Sequence, residues 1–217
     1  MSPIPLALVT ASGGLLAGIG VGLTVNHALL RRQRHALAQA WHDAMHDELT
    51  GLANRRAALA HLDHVLHTGR PVGVILLDLD RFKAVNDTYG HHGGDHVLTT
   101  VARRLADLPA PMVLAARMGG DEFLLVVHGD TQAVADVARA AFTAVTEPIA
   151  LGRHRLTILA SVGYATAQVG ITATELLHRA DMVMYRAKTT QTGVRSATIP
   201  ASTPSQPDPR RRWRDRR

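Results

Sequence analysis

The chain has 217 residues, 46% of them hydrophobic and 4% aromatic, a size that suits one globular domain with appendages. It contains no cysteine, which excludes a disulfide scaffold, a thiolate-held zinc and a cysteine nucleophile. The net charge of +6 comes from two short runs, RRQR at 31–34 and RRRWRDRR at 210–217; the remainder is slightly acidic, so no nucleic-acid partner is expected.

Residues 1–30 hold no Lys, Arg, Asp or Glu, and Ile4 to Val25 is rich in Leu, Val, Ile, Ala and Gly. About 20 apolar residues cross a bilayer core as a helix, so this segment is read as a transmembrane anchor. Arg31, Arg32 and Arg34 follow at once and place the C-terminal side in the cytoplasm. A cleaved signal peptide is disfavoured, because no basic residue precedes the apolar run. Almost nothing lies on the far side, and no periplasmic sensor domain is expected. Gly14, Gly18 and Gly22 recur every four residues, which fits either a close helix–helix contact or a merely glycine-rich segment.

Residues 31–46 read as a helical connector, with Leu37, Trp41 and Met45 on one face. The folded domain is expected over 47–190. Its helices are placed at Arg55–Thr68, Gly94–Leu108, Thr131–Thr146 and Thr172–Thr189, its strands at Val72–Leu79, Met112–Ala116, Phe123–Val127 and Arg155–Ala165. The polar turn between the second and third strands predicts a hairpin. Mixed strands and helices indicate an α+β layer fold. Residues 191–217, rich in Ser, Thr and Pro and then in Arg, read as a disordered tail.

Two segments carry chemistry. In LLDLDRFKAVNDTYGHHGGD, residues 76–95, Asp78 and Asp80 close a buried strand two positions apart, a common way to hold a divalent metal near a phosphate and equally a common solvated strand end. In RMGGDEF, residues 117–123, Gly119 and Gly120 permit a tight turn that brings backbone amides close to a ligand, and Asp121 and Glu122 place two acids at its tip.

Together with DELTGLANRR at 47–56, these segments resemble, in order and spacing, the GGDEF family of diguanylate cyclases over roughly residues 43–190. The resemblance implies a central, mostly antiparallel sheet flanked by helices, related to polymerase palm and nucleotidyl cyclase domains. It implies condensation of two GTP molecules into cyclic di-GMP with release of two pyrophosphates. Asp78, Asp121 and the carbonyl of Leu79 would hold Mg²⁺ (or Mn²⁺), with Asp121 also beside the attacking hydroxyl and Glu122 a neighbouring acid needed for activity. Gly119 and Gly120 would let the phosphates lie against the turn. Asn86 and Asp95 match the guanine-binding positions; a carboxylate accepts two hydrogen bonds from guanine's N1–H and 2-amino edge, which adenine cannot offer. His91 either lines the pocket or only orders its loop, Phe82 packs in the core with its backbone toward the nucleotide, and Lys83 and Lys188 would touch phosphates.

DELTGLANRR reads as architectural, with Asn54 capping a helix and Asp47 pairing with Arg55 or Arg56. Two motifs depart from the family pattern. The arginine expected after Lys188 is replaced by Thr192, with Arg195 three residues on, and the RxxD product-inhibition site is replaced by Ala110 and Val113. The resemblance implies a homodimer, since each domain binds one GTP, and the apolar segment at 1–30 is expected to anchor it by a single pass in a bacterial cytoplasmic membrane. The alternative is a GGDEF module that binds GTP and signals only by contacts.

Overall fold

The computed structural model describes residues 30–34, 37, 39–190 and 194–196. The expected membrane segment, apart from Leu30, and the Arg-rich tail lie outside the described residues. Among those described, no helix is long and apolar enough to cross a membrane. Residues 30–34 and 39–45 are helical, as expected of the connector.

The domain that follows runs β1 (Ala53–Asn54), α1 (Arg55–His67), β2 (Val72–Leu79), α2 (Phe82–Ala106), β3 (Met112–Gly119), β4 (Glu122–His128), α3 (Thr131–Thr146), β5 (Ile149–Leu151), β6 (His154–Leu156), β7 (Ala160–Thr166), α4 (Ala173–Thr190) and β8 (Val194–Ser196). Six strands form one sheet in the order β1-β3-β4-β2-β7-β8. Its four long strands pair antiparallel, and a short parallel pair closes each edge. The sheet is therefore mixed, with the expected antiparallel centre.

All eight residues of β2 are buried, because helices cover both faces of the strand. Alternation along the strand sorts the side chains. Ile75, Leu77 and Leu79, with Phe123 and Leu125 of β4, meet Val97 and Val101 of α2 and Val134 and Ala138 of α3. Val72, Val74 and Leu76, with Leu124 and Val126, meet Leu62 of α1 and Leu176 and Ala180 of α4. Burying each large aliphatic side chain contributes roughly 1.5–3 kcal/mol relative to leaving it in water.

Four expectations change. Helix α2 begins at Phe82 and not at Gly94, with a kink at Gly90 (φ 71°, ψ 172°); a glycine there supplies a left-handed joint between two helical pieces. Strand β3 continues through the first motif glycine to Gly119. The single strand expected over Arg155–Ala165 is split: residues 154–156 turn back on β5 as a separate ribbon, and β7 restarts at Ala160. Finally, Val194–Ser196, inside the stretch read as tail, adds β8 beside Val162–Tyr164.

Candidate active site

The two acid-bearing segments meet at one end of the sheet. Asp78 on β2 stands directly opposite Glu122 on β4, and the Leu79 amide donates to the Asp121 carbonyl at 3.2 Å. The hairpin turns at Gly120 and Asp121, with φ of 136° at Gly119 and 57° at Gly120, conformations that a side chain strains. A Cβ on Gly120 would meet no atom within 4 Å, so the space over the turn is open.

Asp78 is 1% exposed, and the Lys188 ammonium donates to its Oδ1 at 2.6 Å. The structure thus places Lys188, expected at a phosphate, on the candidate metal ligand. Asp80 accepts from Ser161 Oγ at 2.8 Å, and its amide donates to the Leu159 carbonyl at 2.8 Å. That bond uses the gap that splits β6 from β7.

Arg117 was not singled out by the sequence reading, although it stands two residues before the motif glycines. Its Nε and Nη2 donate to the Gly120 carbonyl at 3.0 and 2.8 Å, and its Nη1 reaches Asp47 at 3.0 and 3.2 Å. The ion pair of Asp47 therefore lies with Arg117, where sequence proximity had pointed to Arg55 or Arg56. Asp47 also accepts from the Thr50 amide and hydroxyl at 2.9 and 2.7 Å. Burial pushes the Asp47 carboxyl up, but the Thr50 and Arg117 hydrogen bonds outweigh it and hold the group below the usual carboxylate range. Asn54 caps α1 by accepting from the Ala57 amide at 3.1 Å and donates to the Ala44 carbonyl at 2.8 Å. The domain-start motif thus links the end of the connector to the acid-bearing hairpin.

The expected base-binding residues are brought together by the kink. In an unbroken helix, residues eight apart are about 12 Å apart along the axis. Here Asn86 folds back so that a Cβ on Gly94 would fall on its Oδ1 and lie 3.2 Å from the Phe82 ring. Asn86 and Asp95 are both half-buried beside this contact, His91 and Lys83 are exposed, and Phe82 is buried in the core. Ala110 and Val113 are exposed around the start of β3. Thr192 lies outside the described residues; the backbone of Arg195 pairs with Gly163.

Asp78, Asp121 and the Leu79 carbonyl offer hard oxygen donors, a set suited to Mg²⁺ or Mn²⁺. The Lys188 contact shows that the Asp78 carboxylate accommodates a cation. Among the described residues no three His, Asp or Glu side chains form a metal cage by themselves. A divalent ion here fits as one whose remaining ligands come from a bound phosphate and water.

The structure defines an α+β domain with paired acids at one end of its sheet, and comparison with known proteins narrows the class. The family described as "Diguanylate cyclase, GGDEF domain" matches residues 44–193, and the chain belongs to that family. It is 35% identical over 164 residues to diguanylate cyclase VdcA of Vibrio cholerae, covering 73% of this chain and 48% of that protein. It is 39% identical over 154 residues to the response regulator PleD of Caulobacter vibrioides, covering 67% of this chain and 34% of PleD. The chain thus spans less than half the length of these relatives. Among solved structures, the coiled coil and GGDEF domain of DgcB from Caulobacter crescentus, in complex with c-di-GMP, superposes with a TM-score of 0.76 at 29% identity. That match covers 82% of this chain and 99% of the DgcB chain.

Proposed function

We propose that the protein is a diguanylate cyclase. The observation that carries this reading is the meeting of Asp78, Asp121 and Glu122 at one sheet end, where β2 leads into the helix that bears Asn86 and Asp95. In each of two successive steps a ribose 3′-oxygen bonds to the α-phosphorus of the other GTP. The bond to the β,γ-pyrophosphate breaks, and the hydroxyl proton leaves to a base. Bound Mg²⁺ would neutralise charge on the phosphate oxygens. Asp78, Asp121 and the Leu79 carbonyl would hold that ion, Asp121 would lie beside the attacking hydroxyl, and Glu122 would keep the site acidic. Asp95 and Asn86 read guanine. Lys83 would face the phosphates, which would lie over Gly119 and Gly120, and Lys188 would reach them on leaving Asp78.

Each domain offers one guanine site and the product contains two guanines, so catalysis requires a homodimer with two-fold symmetry. The exposed Leu37 and Trp41 on the connector support pairing through that helix. A single-pass anchor at 1–30 tethers the domain to the cytoplasmic face of a bacterial membrane and raises the local concentration of partners.

Incubating the full chain with GTP and Mg²⁺, followed by nucleotide chromatography, tests the reading. Cyclic di-GMP should form and disappear in Asp121→Asn and Glu122→Gln, and Asp95→Ala should raise the KM for GTP at least about tenfold. GTP binding without product would instead show a contact-signalling module. Since neither Ala110 nor Val113 offers a charged group to a guanine or phosphate, added cyclic di-GMP should leave initial rates unchanged apart from competition with GTP. Non-competitive inhibition would contradict that.

A further inference from the structure

Resting on the assignment of Asp78 as a metal ligand, we infer that Lys188 is a built-in cation that occupies Asp78 before the nucleotide arrives, so that metal loading is an exchange. The Asp78 carboxylate is 1% exposed, on the strand central to the sheet. It lies directly across from a second acid, Glu122, and one residue from the strand-end amide that binds the Asp121 backbone. A buried carboxylate among other acids is costly unless a cation compensates it. Lys188 provides this compensation through a 2.6 Å contact. Its own side chain is 38% exposed, close to the end of α4 at Thr190. The side chain is therefore held at its tip by Asp78 and partly open to solvent along its length, and a flexible lysine stem can let go.

A divalent ion entering alone must displace this ammonium and brings no anion of its own to receive it. An ion entering with a triphosphate brings that anion along. Lys188 thus disfavours binding of the bare metal and favours joint binding of metal and GTP, passing from carboxylate to phosphate. Its role at Asp78 is positioning, and it precedes its contact with substrate.

Manganese titration of the nucleotide-free full chain, with free Mn²⁺ read by electron paramagnetic resonance, tests the exchange. Lys188→Met and Lys188→Gln should bind Mn²⁺ about tenfold more tightly than the parent, a change of ~1.4 kcal/mol. Lys188→Arg, which keeps the charge, should stay near the parent value. In the presence of a non-hydrolysable GTP analogue the order should reverse, the neutral variants binding the metal–nucleotide pair more weakly. Circular dichroism of each variant confirms folding. Unchanged or weaker Mn²⁺ binding in both folded neutral variants overturns the exchange. Asp78→Asn separates the two levels: loss of Mn²⁺ binding in that variant while the Lys188 variants show no gain sinks the exchange alone. Mn²⁺ binding indifferent to Asp78→Asn sinks the metal assignment as well.

Discussion

Arg117 is the residue that holds the proposed catalytic turn without itself being acidic. Its guanidinium holds the Gly120 carbonyl with two N–H groups and spends a third on Asp47. Hydrogen bonds to charged groups contribute about 1.5–3 kcal/mol each when shielded, and Arg117 and Asp47 are largely shielded, at 12% and 24% side-chain exposure. Arg117→Ala should therefore lower kcat about tenfold or more by loosening the turn, with a smaller change in KM. Asp47→Asn should do part of the same. Steady-state kinetics on the two single variants and the double variant should show the effects to be non-additive, since both act on one clamp. A second residue-scale expectation concerns His61 on α1. Burial lowers its pKa below the ordinary histidine value, and the neighbouring charges of His128 and His64 push the same way. The unfolded chain then takes up a proton at His61 before the folded chain does. This neutral-state preference costs nothing above about pH 6.5 and destabilises progressively as pH falls through that value toward the folded pKa. Urea midpoints measured from pH 7.5 down to 5.5 should fall, and His61→Gln should flatten the decline.

Among the elements, α4 is seated by a glycine on β7. A Cβ at Gly163 would fall on the Met184 amide and the Ala180 carbonyl and come within 2.7 Å of the Met184 Cα. All three are backbone atoms, which cannot swing aside as a side chain could. Gly163→Ala should push the helix off the sheet, at a cost of about 1–3 kcal/mol for forced overpacking, measurable as a lower urea midpoint at unchanged slope. Because Lys188 travels with α4, the same variant should also lose activity beyond what its stability explains. The kink in α2 is the other element-scale device. Gly90 bends the helix so that Asn86 lies against Gly94 and near Asp95, and a straight helix would separate them. The helix is expected only from Gly94, and the residues just before it, with Gly90 and Gly93 among them, make a poor helical string. The helix forms there nonetheless because Phe82 and Val85 bury themselves in the core, where packing outweighs propensity.

For the whole molecule, the proposed pairing of two domains has a kinetic signature. At protein concentrations below the dimer dissociation constant, the rate of cyclic di-GMP formation should rise with the square of total protein and become linear above it. Reconstitution into liposomes should shift that crossover to lower bulk concentration, because tethering concentrates the partners. A rate strictly linear in protein at every dilution would remove the requirement for a homodimer.

What the sequence determined by itself was the set of elements that repeat a local pattern, together with the identities of the acids. The unbroken run Val72–Leu79, the amphipathic stretch Thr131–Thr146 and the turn signal of Gly119–Gly120 each state their geometry within a few residues, since periodicity and backbone freedom are local properties. The family resemblance carried by the motifs likewise pointed to Asp78, Asp121, Glu122, Asn86 and Asp95 as candidates. Only the tertiary structure decided which of them touch what. Asp47 pairs with Arg117 across 70 positions and Lys188 with Asp78 across 110. The ribbon β5–β6 departs from β7, and β8 joins the sheet beyond the expected boundary. Such partners are chosen by which strand lies beside which and by the need of each buried charge for an opposite one, and neither condition is written in neighbouring residues.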